Sequence, residues 1–256
     1  MLNSTRPATP LVAVIGPAVL VLIWAGLAAL HLFPESLFPS PLAVARGLVV
    51  ELTSGRLVDD CIASLFRVAV GFLLAVVLGV PTGLLLGHSL LARQAFLPLV
   101  NFFRSLSPLA WIPFAILWLG IGDPPAIFLI FMATFFPMVL STTAAVANIP
   151  SIYFRVARDL GLERFELLRD VTLPAIAPQV ITALRVTAGL SWLVVVAAEM
   201  IAGRDGLGFA VWDARNGLRI DLLGAAMVVI GAIGAVIDRL LVKLTRIPSV
   251  RWGYER

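Results

Sequence analysis

The sequence predicts an all-α protein embedded in a membrane, and three observations carry that prediction. Hydrophobic residues make up 60% of the 256 positions and charged residues only 13%, about half the charge of an ordinary soluble domain. The apolar residues fall into runs of about 20–25, the helix length that crosses a ~30 Å hydrocarbon core at 1.5 Å per residue. Charges gather between those runs, where a chain leaving the bilayer can place them in water or among headgroups.

Six runs read as spans: 11–33, 63–87, 96–120, 125–147, 175–202 and 222–245. The first carries no small-residue cleavage site, so it reads as a retained span and not as a signal peptide. After it, "PLAVARGLVVELTSGRLVDDCIASL" mixes apolar and charged residues at helical spacing, which suits either amphipathic helices lying at the outer interface or a connecting loop. In the second span Gly79, Gly83 and Gly87 recur every fourth position and clear one helix face for a close neighbour. Gly231 and Ala235 repeat the pattern once in the last span.

The third span holds Pro98, Pro108 and Pro113. Each proline removes a helix hydrogen bond, and broken backbone at membrane depth is tolerated only where protein buries it or it lines a watery cavity. A pathway or gate is expected there.

Six crossings place both termini on one side. With the termini cytoplasmic, the inside segments carry eleven Lys and Arg, from Arg6 and Arg93 through Arg155–Arg169 to Arg256, against five outside. The positive-inside rule favours that orientation. The whole chain, 1–256, reads as one membrane domain without repeats.

Residues 151–174 stand apart. "FRVARDLGLERFELLRDVTLP" is rich in charge, yet apolar Val156, Leu160, Leu167, Leu168 and Val171 recur at roughly helical intervals and Gly161 interrupts them. A glycine there permits a sharp turn between two short helices, and Pro174 suits the first turn of the next span. Headgroup anchors are rich in Lys and Arg with few acids; here four arginines are balanced by Asp159, Glu163, Glu166 and Asp170. Docking on a soluble protein is the better physical reading.

The spacing Ala157, three residues, Gly161, nine residues, Val171, one residue, Leu173-Pro174 resembles the E-A-A-x3-G-x9-I-x-L-P loop of bacterial ABC importer permeases. Arg155 stands where that motif has its leading Glu, Val156 replaces its first Ala and Val171 its Ile. The stretches "LSPLAWIPFAILWLGIGD", "LVVVAAEMIAG" and "GLGFAVWDARNGLRIDLLGAAMVVIG" resemble the branch importing nitrate, bicarbonate, taurine and aliphatic sulfonates, and the likeness runs from about Ser64 to Arg239.

The resemblance implies a type I importer fold in the inner membrane. It also implies a second permease copy, expected to make a homodimer, two cytoplasmic ATP-binding subunits, and a periplasmic or lipid-anchored solute-binding protein. Ala157, Asp159, Leu160, Gly161, Leu162, Glu163, Arg164 and Pro174 would form the coupling segment that enters the ATPase. A sulfonate such as taurine is the first expected solute, with nitrate or bicarbonate next.

No cofactor is expected on this chain. A phosphate-binding loop needs Gly-x4-Gly-Lys-Ser/Thr, and the only lysine, Lys243, lies between Val242 and Leu244. ATP and Mg therefore belong to partner chains. One cysteine, Cys61, and two histidines, His31 and His88, supply neither a disulfide framework nor a metal cage. A lipid-modifying enzyme lacks its nucleophile and base; a secondary transporter would show midplane ionisable relays and an inverted repeat. No compact basic run points to nucleic acid.

An isolated charge at mid-bilayer costs about 2.5–3.5 kcal/mol or more, so each needs a partner, water or an interface. Arg104 beside Pro108 either attracts an anionic solute or reaches headgroups at its helix end. Arg185 and Glu199 are 14 positions apart, within ~40° of one face but roughly 21 Å apart along it, too far to pair. Glu199 is expected to pair with Arg204 or an arginine of another span and to hold the outer gate. Trp111 and Trp192 read as pathway or interface aromatics.

Overall fold

The computed structural model describes residues 10–32, 34–35 and 37–244, with side chains for all of these except 10–14, 164 and 244. Phe33 and Thr245, called as span ends, and the tail arginines Arg6, Arg246, Arg251 and Arg256 used for orientation lie outside the described residues. Helices follow one another as α1 (Pro10–Ala29), α2 (Pro41–Thr53), α3 (Arg56–His88), α4 (Leu90–Ser105), a tight 3-10 turn (Pro108–Trp111), α5 (Ile112–Leu119) and α6 (Asp123–Ala147). Then come α7 (Ser151–Asp159), α8 (Arg164–Glu166), a π-helical turn (Leu167–Thr172), α9 (Leu173–Ala202), α10 (Leu207–Asn216) and α11 (Ile220–Leu244).

Among the described residues four helical stretches are long and apolar enough to cross a membrane: Arg56–His88, Asp123–Ala147, Leu167–Ala202 and Ile220–Lys243. The third sequence span is no straight helix. It begins earlier, at Leu90, and its two halves, Leu90–Ser105 and Pro108–Leu119, are bent by 86°. Pro108 opens the 3-10 turn and Pro113 sits at the start of α5, so both prolines occupy helix starts, where a missing N–H costs little. Pro98 remains inside α4.

By internal contacts the helices form two compact units, Met1–Val58 with Ala210–Val229, and Asp59–Phe209 with Ile230–Arg256. In the first, the amphipathic stretch after α1 is helix α2, capped by the Ser40 hydroxyl accepting from the Ala43 N–H at 3.2 Å. Gly47 of α2 lies against Asp221 and Leu222, and Gly224 lies against Val44, so two glycines let α2 and the start of α11 meet closely. Trp24 donates its indole N–H to the Pro39 carbonyl at 3.1 Å, tying α1 to the segment before α2. Arg56 and Asp213 pair at 2.5 Å.

The second unit is built on α6 against α9. Leu129, Ile130, Met138 and Val139 of α6 and Ile176 and Val195 of α9 are fully buried, and Thr134 and Ser191 share a hydrogen bond of 2.7 Å between the two helices. Helix α3 packs on α6 through a glycine seam. A Cβ built at Gly71, Gly79, Gly83 or Gly87 would meet Ile130, Met138, Thr142 or Val146 respectively. The small-residue face thus serves packing inside the unit.

Gly231 does not do the same for α11, because nothing approaches within 4 Å of a Cβ there; the close contact is Gly234, 3.1 Å from the Trp192 indole. At Gly83 a Cβ would stand 2.5 Å from the Thr142 Cβ and 2.8 Å from the Val139 carbonyl. Gly83→Leu is therefore expected to destabilise by about 1–3 kcal/mol, measured as a lowered unfolding midpoint in detergent. Gly26→Leu, where nothing lies within 4 Å, is the control expected to leave it unchanged.

Candidate functional site: a turned segment and a buried ionic hub

The N-terminal ends of α3 and α6 and the C-terminal end of α9 meet at one end of the second unit, and their opposite ends meet at the other. Helix α6 alone, at 25 residues, separates the two ends by roughly 37 Å. Each end carries a polar assembly.

At the first end Arg67 of α3 is 1% exposed and Glu199 of α9 is fully buried. The guanidinium donates from Nη1 to Glu199 Oε1 at 2.7 Å and from Nε to Asp123 Oδ1 at 2.6 Å, and it also pairs with the Asp205 carboxylate. Nη1 further donates to the Asp205 carbonyl at 2.9 Å. Ser64 donates to Glu199 Oε2 and accepts from the Leu207 N–H, both at 2.9 Å, while the Gly208 N–H donates to Glu199 Oε2 at 2.9 Å and the Gly206 N–H to Asp60 Oδ1 at 2.7 Å.

One arginine of α3 therefore binds the ends of α6 and α9 and the 203–206 loop. A planar fork of five donors can serve three acceptors at once, and the Ser64 hydroxyl with the Gly208 N–H, in the first turn of α10, serves the second oxygen of Glu199. Gly206, at φ +99°, and Gly208 let the loop come this close: a Cβ at Gly206 would stand 2.6 Å from the Arg67 guanidinium and 2.5 Å from the Glu199 carboxyl carbon. Of the two partners expected for Glu199, it is an arginine of another span that holds it. Arg204 is exposed.

At the second end α7 stops at Asp159 and the chain reverses. The Gly161 N–H donates to the Arg158 carbonyl and the Leu162 N–H to the Ala157 carbonyl, both at 3.0 Å. This is the paired closure of a helix ended by a left-handed residue, and Gly161 supplies it at φ +74°. The Glu166 carboxylate then accepts from the Glu163 N–H at 3.1 Å, capping the next helix from inside its first turn.

The turn presents Leu160 and Phe165 to the outside, at 72% and 73% exposure. Val156, Asp159 and Glu163 are exposed, Leu162 is half-buried and Ala157 is buried. Arg164 is helical, with its side chain outside the described residues. Arg155, at the position of the motif's acid, reaches Ser151 on its own helix at 3.5 Å. Pro174 lies in the first turn of α9. The π-helical turn at Leu167–Thr172 joins the segment to α9 without a break in the helix.

The other singled-out residues lie between these ends. Arg104 is exposed in the last turn of α4. Trp111 joins a cluster of Phe103, Phe114, Trp118 and Phe128, ring centroids 6.1–6.5 Å from its own, at the 86° bend. Trp192 is buried, donating its N–H to the Ile230 carbonyl at 3.1 Å. Arg185 forks onto Asp238 of α11 at 2.7 and 3.1 Å, with about half of each side chain exposed. A cavity of about 340 Å³ between α6 and α9 is lined by Ser141, Asn148, Gln179 and Thr182, with no charged group.

Among the described residues no group of His, Cys, Asp and Glu could hold a metal. Sequence reasoning missed Asp60, Ser64, Asp123 and Asp205, and it left Arg67 without a partner. The available signal was the placement of Arg67, Asp123 and Glu199 at span ends lying on the same side of the bilayer.

Residues 75–247 match the family described as binding-protein-dependent transport system inner membrane component. A putative ABC transporter permease protein of Methanocaldococcus jannaschii is 37% identical over 228 residues, covering 87% of this chain and 85% of the relative. A nitrate import permease protein of Synechocystis is 40% identical over 70% of this chain, which spans 65% of that relative's length. A bicarbonate transport system permease protein of Synechococcus elongatus is 39% identical over 72% of this chain and 67% of its own. Among solved structures, the inward-facing methionine ABC transporter MetNI superimposes with a TM-score of 0.64 at 22% identity, covering 74% of this chain and 96% of that one.

Proposed function

Because the chain belongs to the family of inner-membrane components of binding-protein-dependent transport systems, with the type I ABC importer fold and ATP hydrolysis on separate chains, we propose that 151–174 is its coupling segment. The observation that carries this reading is the turn at Gly161, which holds two large apolar side chains, Leu160 and Phe165, outward amid Asp159, Glu163, Arg155 and Arg158. An apolar tip rimmed by both signs of charge suits a groove on another protein. The ATP-binding subunits are the partner whose motion has to reach the membrane helices.

In this reading residues 1–256 act as one permease domain, paired with a second identical copy, and the turned segment faces the cytoplasm. The excess of arginine on that side supports the orientation. ATP binding draws two such segments together, the π-helical junction passes the displacement to α9, and the Arg67 hub makes the far ends of α3, α6 and α9 move as a body. The charge-free face of Ser141, Asn148, Gln179 and Thr182 forms half of a passage between copies.

The solute is a small oxyanion, nitrate or bicarbonate ahead of a sulfonate such as taurine, received from a solute-binding protein. The names of the cyanobacterial relatives support the order. Hydroxyl and amide groups hydrogen-bond such an anion without holding it as a fixed cation would.

Liposomes containing the chain with its ATP-binding subunits and binding protein test the reading. Uptake of nitrate or bicarbonate that needs ATP and the binding protein, and exceeds taurine uptake, is expected. Uptake by the chain alone without ATP would overturn it.

A further inference from the structure

At the base of the turned segment lies a cavity of about 540 Å³ lined in part by His88, Arg93, Phe154, Arg158, Leu162 and Leu167. Its walls divide by chemistry. Phe154, Leu162 and Leu167, with Val146 and Ile149, supply apolar lining, while Arg93, Arg158 and His88, with Ser151, supply a polar part that includes no acid. The carboxylates of the segment, Asp159, Glu163, Glu166 and Asp170, are absent from the lining. Neither the Arg93 nor the Arg158 side chain forms an ion pair among the described residues.

Position adds a second constraint. His88 and Ala147 are the last residues of α3 and α6, both of which are long and apolar enough to span a bilayer. A cavity at those helix ends sits at the depth where hydrocarbon gives way to headgroups. Its occupant meets both apolar surface and two guanidinium groups.

We propose that this cavity binds the headgroup and upper acyl chain of an anionic phospholipid, its phosphate held between Arg93 and Arg158. Guanidinium groups take phosphate oxygens through paired N–H donors, and basic pockets between transmembrane helices at this depth suit anionic headgroups. A free phosphate ion satisfies the arginines and leaves Phe154, Leu162 and Leu167 unused; a phospholipid satisfies both. Arg158 belongs to α7, immediately before the turn at Gly161, so the bound lipid steadies the root of the segment. That consequence rests on the coupling reading above; the binding itself does not.

The test uses the assembled transporter, delipidated in mild detergent and then given phosphatidylglycerol or phosphatidylcholine, with retained lipid counted by native mass spectrometry. The intact complex is expected to retain phosphatidylglycerol selectively, and Arg93→Gln/Arg158→Gln to lose that retention on the order of tenfold. Arg93→Lys/Arg158→Lys keeps both charges and most of the retention, which separates lipid binding from folding. Arg239→Gln, an exposed arginine outside the cavity, is expected to change nothing.

Equal retention by the Gln pair and the intact complex would overturn the proposal. So would displacement of the lipid by millimolar inorganic phosphate, which would assign the arginines to a free anion. Loss of the ATP-binding subunits from the Gln pair with lipid retention unchanged would assign the arginines to a partner's acid. If the coupling reading alone fails, lipid selectivity persists while ATP hydrolysis in nanodiscs no longer responds to phosphatidylglycerol.

Discussion

Arg67→Ala is expected to cost the folded protein about 3–5 kcal/mol, because it leaves a buried carboxylate without its cation. The large part of that cost belongs to Glu199, which is fully buried. Asp123 and Asp205 are half-exposed, at 51% and 62% of the side chain, and water takes over their solvation. The readout is the yield and unfolding midpoint of the assembled transporter in detergent.

Arg67→Ala/Glu199→Gln is expected to recover part of the loss, since an amide is cheaper to bury than an unpaired carboxylate and still accepts from Ser64 and the Gly208 N–H. Arg67→Lys keeps the charge but offers one ammonium where a fork reaches three carboxylates, so an intermediate midpoint is expected. A single alanine variant with an unchanged midpoint would show that the hub does not hold the helix ends.

Gly161→Val is expected to reduce ATP-driven uptake on the order of tenfold while the helices remain folded. A Cβ at Gly161 meets nothing within 4 Å, so space is not the constraint; backbone conformation is. At φ +74° an ordinary L-residue pays about 1–2 kcal/mol, and a β-branched one more. The chain relieves that strain by reopening the turn, which displaces the exposed Leu160 and Phe165.

Gly161→Asn separates this account from simple crowding. Asparagine visits the left-handed region more readily than other side chains, so Asn is expected to retain most of the uptake that Val loses. Equal loss in both variants would argue that the side chain itself blocks a docking groove. ATP hydrolysis by the partner subunits continues in every variant, since this chain supplies no catalytic group to it.

Much of this was legible in the chain itself. Length and apolarity of the runs identified the long spanning helices, because the hydrocarbon thickness and the rise per residue leave little freedom. Pro108 and Pro113 marked the break, and Gly161 the turn, because each acts on its own backbone. The spacing of Gly79, Gly83 and Gly87 marked a face open to a close neighbour, since that signal depends only on one helix's periodicity; that α6 fills it is a tertiary fact.

Tertiary structure decided what touches what. Arg67 meets Asp123, Glu199 and Asp205, which lie 56, 132 and 138 positions away, and Arg185 finds Asp238. Gly234, not Gly231, receives Trp192. Such pairings depend on the rotation and tilt of one helix against another. Those angles follow from side-chain packing summed over the whole contact, and no single stretch of sequence carries them.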